Sequence, residues 1–275
     1  MLKAYLVFIV LVSSSWSYSF FDSEKSIDKR HLDLIHKIKD VVINTQKTRG
    51  LTNNYMNGNV VAQLLVYGQR KEMIKNFADI NKGFKRLELE EIFYKKSSSL
   101  IQNSKSLNQI AFKTNSAEVF TQYSDLIEKW MELNENIIVQ RFKTNEKVYS
   151  QLILLNNVLL SLTENIGKMR GMGSGIVARG FCKENETLQM KGFANEVQRY
   201  KMLLQYHMVG KEYKGLSKND MIKIEISLEA YASLTLEKVI SKKDISLNTN
   251  EYFNQGTRAI SDVLRVYMAV AASLN

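Results

Sequence analysis

Apolar residues recur at helical spacing through nearly the whole chain. From Ser23 to Asn57, one row carries Ile27, Leu34, Ile38 and Val41, and a neighbouring row carries Ile35, Val42 and Met56. Asn57-Gly58-Asn59 reads as a helix stop. A second helix is predicted from about Val60 to Leu87. The pattern weakens over Glu88 to Phe112, where Ser97-Ser98-Ser99 and Asn103-Ser104 interrupt it. Asn115-Ser116 marks an N-cap for a helix to about Arg141. Thr144-Asn145 marks another, for a long helix to about Arg179 that Gly180 ends. Further helices are predicted over 184–209, 217–240 and 248–273, with Ser217 and Asp220 forming a capping box that uses Asp. Long helices joined by short connections pack as antiparallel bundles. The expected class is all-α.

Composition narrows this further. Proline is absent from the 275 residues, which disfavours turn-rich β-sandwiches and barrels. The single cysteine, Cys182, excludes an intrachain disulfide and a cysteine-based zinc site. Of the three histidines, only His31 and His36 are close in sequence, and that spacing is poor for one helix face. No metal site, cofactor box, catalytic triad or paired-carboxylate site stands out, so an enzyme is not expected. The formal net charge is +10, but the lysines are dispersed and no run of five basic residues occurs. A solvated cationic surface is expected rather than a nucleic-acid patch.

The N-terminus reads as an export signal. Lys3 precedes the apolar run Ala4–Val12, and Ser13-Ser14-Ser15 and Ser17-Tyr18-Ser19 supply small residues for cleavage after about Ser19. The run is too short to span a bilayer, which needs about 20 apolar residues. The expected organisation is a cleaved signal at 1–19 and a helical module at 20–275, periplasmic or extracellular. Nucleic-acid partners are not expected there.

The chain also repeats itself. Gln46-Lys47-Thr48-Arg49-Gly50 lies late in the first long helix, and Gly167-Lys168-Met169-Arg170-Gly171 lies late in the fifth. The two arginines are 121 positions apart (170 − 49), and each segment is followed by a helix-ending glycine, Gly58 or Gly180. This predicts two four-helix units from an internal duplication, about 23–141 and 145–275, joined by long helices.

Arg49 shares a seven-residue row with Ile35, Val42 and Met56, and Arg170 follows a helix that is apolar on most of its circumference. A guanidinium keeps its proton, so burial demands an anion or several acceptors. Three arrangements satisfy this. The arginines reach solvent, they pair with internal acids such as Glu164 or Asp40, or they receive an exogenous anion. Gly167, Gly171, Gly173 and Gly175 on the fifth helix fit either close helix packing or a backbone opened for a small ligand. A planar monoanion suits the rigid arginine fork. Thr45, Thr48, Thr52, Asn53, Thr163 and Ser174 are neutral donors within a turn or two. Arg258, near the apolar row Phe253, Ile260 and Leu264 of the last helix, is a weaker third anion contact with a surface position as its alternative.

Gln46-x-x-Arg49-Gly50-Leu51 with its trailing Gly58, together with Gly167-Lys168-Met169-Arg170-Gly171, resembles the nitrate- and nitrite-sensing (NIT) domain family. The resemblance covers nearly all of 23–275. It departs at Thr48, where the family usually has Glu. It implies two four-helix bundles, with Arg49 and Arg170 as the nitrate-binding arginines; Thr52 and Ser174, from their positions near the arginines, are the expected supporting donors. Family members usually adjoin an effector. Since this chain ends at Asn275, a separate membrane-bound kinase or chemoreceptor is the expected recipient of a signal. Bundles of this kind often dimerise, which adds a homodimer by analogy. The competing expectation is a structural or protein-interaction bundle of the cell envelope with no small ligand, in which internal acids neutralise both arginines.

Overall fold

The computed structural model describes residues 29–87, 89–241 and 244–274. The expected signal segment and the first turn of the predicted first helix lie outside the described residues. Those described form helices and no strand. None of the helices is long and apolar enough to cross a membrane.

The first unit comprises α1 (Lys29–Met56), α2 (Ala62–Arg86), α3 (Glu91–Ile110), a short 3₁₀ turn (Ala111–Lys113) and α4 (Ser116–Phe142). The second begins with one continuous rod: α5 (Glu146–Ile153), a π-helical stretch (Leu154–Leu160) and α6 (Ser161–Arg179). It continues with α7 (Glu184–Met208), α8 (Lys218–Leu234) with a second π-helical stretch (Thr235–Ile240), and α9 (Thr249–Ala272). In the first unit α1 packs on α2 and α4; in the second α6 packs on α7 and α9. The units meet where α1 crosses α6.

The predicted stops and caps are where the local chemistry demands them. Gly58 and Gly180 adopt φ of 109° and 84°, a left-handed backbone that other residues enter at a cost. The Asn115 side chain accepts from the backbone N–H groups of Ala117 and Glu118, and that of Asn248 from those of Asn250 and Glu251. Each cap satisfies donors that the first helical turn leaves orphaned. Ser217 and Asp220 form the reciprocal capping box. The weakly patterned stretch carries a helix over Glu91–Ile110, and its interrupting serines are not all exposed. Ser97 and Ser104 are buried, and Ser104 returns its hydroxyl proton to the Leu100 carbonyl.

Each unit has its own core. Leu34, Ile38, Phe77, Ile80, Tyr123 and Trp130 anchor the first; Leu159, Ile166, Val197, Leu228 and Val263 anchor the second. The π-helical stretch within the long rod is not legible in its apolar pattern. It buries Asn156, which accepts from the Asn134 side chain at 2.9 Å and ties α4 to the rod.

Candidate functional site

The α1–α6 crossing depends on two missing side chains. A Cβ on Gly171 would lie 3.2 Å from the Gly50 Cα and 3.0 Å from the Phe120 ring. A Cβ on Gly50 would lie 3.3 Å from the Phe253 ring. The backbones therefore approach closely, with one aromatic ring closing each side. Farther along α6, a Cβ at Gly173 would overlap the Tyr252 phenol and one at Gly175 the Asn53 amide. The glycines thus serve close packing. Asn53 exploits the gap by donating to the Gly171 carbonyl at 2.8 Å.

Arg49 and Arg170 sit immediately beside this crossing and are almost wholly excluded from solvent, at 0% and 1% exposure. Their surroundings repeat. The Arg49 guanidinium lies 4.9 Å from the centre of the Phe120 ring, and its Nη1 donates to the Ser124 hydroxyl at 2.8 Å. The Arg170 guanidinium lies 4.7 Å from the Phe253 ring, and its Nη1 donates to the Thr257 hydroxyl at 3.0 Å. Both hydroxyls donate in turn to the carbonyl four residues back, that of Phe120 or Phe253. Phe120 and Phe253, Ser124 and Thr257, and the capping residues Asn115 and Asn248 all stand 133 positions apart (253 − 120, 257 − 124, 248 − 115). The likeness between the two arginine surroundings therefore extends to the partner helices α4 and α9. Phe-x-x-x-Ser/Thr at equal distance from an Asn cap is the sequence signal that would have revealed these four residues.

The two cradles differ in charge. Glu164 places both carboxylate oxygens on Arg49, Oε1 at 2.5 Å from Nη1 and Oε2 at 3.1 Å from Nη2. The Lys168 ammonium lies 3.7 Å from the same carboxylate and also pairs with Glu128 at 2.9 Å. Arg49 is thus neutralised within the chain by Glu164, one of the arrangements that the sequence left open. The alternative acid, Asp40, pairs with Lys39 instead. At Arg170 the story is different. Its Nε and Nη2 have no hydrogen-bond partner among the described residues, and the buried Tyr231 hydroxyl lies against the Tyr252 phenol. Burial pushes the Arg170 pKa down to about 10, opposed by the nearby Tyr231 and by Glu164, and reinforced by repulsion from Arg49. The group remains charged at neutral pH and carries the cost of desolvation. Burial likewise pushes the Tyr231 phenol well above its ordinary value and Tyr252 up to about 12, so both remain neutral O–H donors. Tyr252 spends its proton on α6 or α8, lying 3.2 Å from the Met169 carbonyl and 2.9 Å from the Thr235 hydroxyl.

The remaining expected contacts fall elsewhere. Ser174 is buried, but its hydroxyl donates to the Arg170 carbonyl at 2.6 Å on its own helix. Thr52 is buried beside the Tyr123 phenol of α4, near Arg70, in the first unit. Arg258 is exposed and borders a surface cleft together with Tyr231, Gln255 and Asp262. Its position on α9 is two residues past the face that carries Gly256, whose missing Cβ makes room for Tyr231 and Arg170. Arg179 joins the units: its Nη1 donates to the Asn57 side chain at 2.8 Å while Nη2 pairs with Glu186. A cleft of about 470 Å³ opens beside it between α4 and α6–α7, with Asn53, Phe120, Ser124 and Lys168 among its walls.

No protein-family model matches the sequence, and no curated protein does either. Among solved structures, that of the NasR transcription antiterminator shares the architecture: the TM-score is 0.71 at 11% identity, over 89% of this chain and 67% of that one. At this identity the likeness is one of fold alone.

Proposed function

We propose that this chain is a non-enzymatic helical binding module for a small planar monoanion, nitrate or nitrite, with Arg170 as the principal ligand residue. One observation carries the reading: a fully buried guanidinium with two unpartnered N–H positions, in a cradle whose twin holds a carboxylate. Carboxylate and nitrate are both planar, and each offers a pair of coplanar oxygens to an arginine fork. The Arg49–Glu164 pair therefore illustrates the mode in which an anion would dock on Arg170. The Tyr231 hydroxyl would add a neutral donor. The sequence resemblance to nitrate- and nitrite-sensing domains supports the same ligand, and the fold shared with a transcription antiterminator fits a regulatory module.

The module would act after export, and ligand binding would favour one packing of α6 against α9 over another, read by a separate membrane-bound partner. The rival interaction-bundle reading holds for Arg49, which has its internal acid, and not for Arg170. Calorimetric titration of the protein with nitrate and nitrite, with chloride and sulfate as controls, tests the proposal. Saturable binding of one nitrate, lost in Arg170→Met, is the expected result. No heat and no thermal shift at millimolar nitrate would refute it.

A further inference from the structure

The duplicated cradles invite a comparison position by position. Glu164 precedes Arg170 by six residues on α6. The residue six before Arg49 on α1 is Ile43, at the same 121-residue offset (164 − 43). Because α1 and α6 cross about the Gly50–Gly171 contact, the residue at this position of one helix serves the arginine of the other. Glu164 on α6 binds Arg49 on α1. The equivalent of that carboxylate for Arg170 is Ile43, which is buried and carries no charge.

Building on the anion reading above, we infer that Glu164 is an internal pseudo-ligand: the Arg49 cradle is a second anion site of the same chemistry, occupied by the chain's own carboxylate, while Ile43 leaves the Arg170 cradle for an external anion. Three features support the assignment. The ring, the hydroxyl and the close glycine crossing are present at both arginines, so the machinery of the site is complete twice. Glu164 presents two oxygens to two guanidinium nitrogens, the contact an external planar anion would make. The occupied cradle also borders solvent-accessible space, since Phe120 and Ser124 line the interunit cleft, and Lys168 and Glu164 line an adjoining one. An anion could reach Arg49 from there once the carboxylate is gone. The consequence is a fixed stoichiometry. With one carboxylate for two buried guanidinium groups, the pair accepts one monoanion.

The test exchanges the distinguishing residues and counts nitrate by calorimetry on the full chain, with helicity checked by circular dichroism. Glu164→Gln keeps the side-chain volume and removes the charge; nitrate stoichiometry should rise from one to two. Ile43→Glu should supply the second carboxylate and abolish nitrate binding while the protein stays folded. A folded Glu164→Gln protein that still takes one nitrate overturns the inference, as does a folded Ile43→Glu protein that binds nitrate like the parent. Failure of both variants to fold overturns it too, because the two cradles would then not be interchangeable. The outcomes separate this inference from the reading it rests on. A parent chain that binds no nitrate refutes the Arg170 site, yet a single nitrate acquired by Glu164→Gln would still establish the pseudo-ligand at Arg49.

Discussion

Replacing each buried arginine by methionine, a neutral side chain of similar reach, should have very different effects on the unliganded protein. In Arg49→Met the Glu164 carboxylate, 3% exposed, loses its bidentate partner and keeps only Lys168 at 3.7 Å. Breaking one side of a buried ion pair costs about 3–5 kcal/mol. In Arg170→Met no carboxylate is stranded. The lost hydrogen bond to Thr257 is worth about 1 kcal/mol, and the lost contact with the Phe253 ring about 1–2 kcal/mol. Against this stands the desolvation of an under-partnered charge. A depression to about 10 from the ordinary 12.5 corresponds to about 3 kcal/mol at 1.36 kcal/mol per unit. The sign follows from linkage. The folded protein holds this proton less tightly than the unfolded chain, so the cost is fully present below pH 10 and is relieved only as pH rises beyond it. At neutral pH the Arg170→Met terms nearly cancel, leaving the variant within about 1 kcal/mol of the parent.

The difference between the two variants is thus about 3–5 kcal/mol. For a chain of this size that is a gap of about 6–20 °C in melting temperature, read by circular dichroism at 222 nm in nitrate-free buffer. Nitrate at a hundred times Kd should then stabilise the parent by about 2.7 kcal/mol and leave Arg170→Met unmoved. Equal destabilisation by the two substitutions would refute the claim that only one arginine is neutralised in the folded chain.

Three further outcomes follow from the same geometry. Tyr231→Phe removes a hydroxyl that meets the Tyr252 phenol, so urea unfolding should change by about 1 kcal/mol or less. Nitrate affinity by calorimetry should nonetheless fall about fivefold to thirtyfold, the loss of a hydrogen bond of about 1–2 kcal/mol. Gly171→Ala forces a methyl against the Gly50 backbone and the Phe120 ring and should cost about 1–3 kcal/mol, whereas Gly192→Ala, with open space around it on α7, should stabilise by about 0.5–1 kcal/mol; thermal melts of the two variants distinguish them. Asn115→Ala strips the cap of α4 and should cost about 1 kcal/mol in the same assay.

Helical periodicity, Asn and Ser caps and left-handed glycine stops are local properties, and the chain itself dictated them. The stops at Gly58 and Gly180, the caps at Asn115 and Asn145 and the box at Ser217 needed only neighbours within one turn. The likeness between the segments around Arg49 and Arg170 was equally legible, because matching residues recur there at an offset of 121. Burial of the arginines could be read from the apolar rows that carry them. Which of them is neutralised could not. Glu164 and Asp40 were equal candidates in sequence, and the choice lies 115 residues from Arg49, across a crossing set by how closely Gly50 and Gly171 allow two backbones to approach. The same crossing turns Thr52 toward Tyr123, and the packing of α9 leaves Arg258 in solvent. Periodicity says that a side chain faces a neighbour. Only the packing of the helices says which neighbour it meets, and here that decides where a buried positive charge is left without an answering negative one.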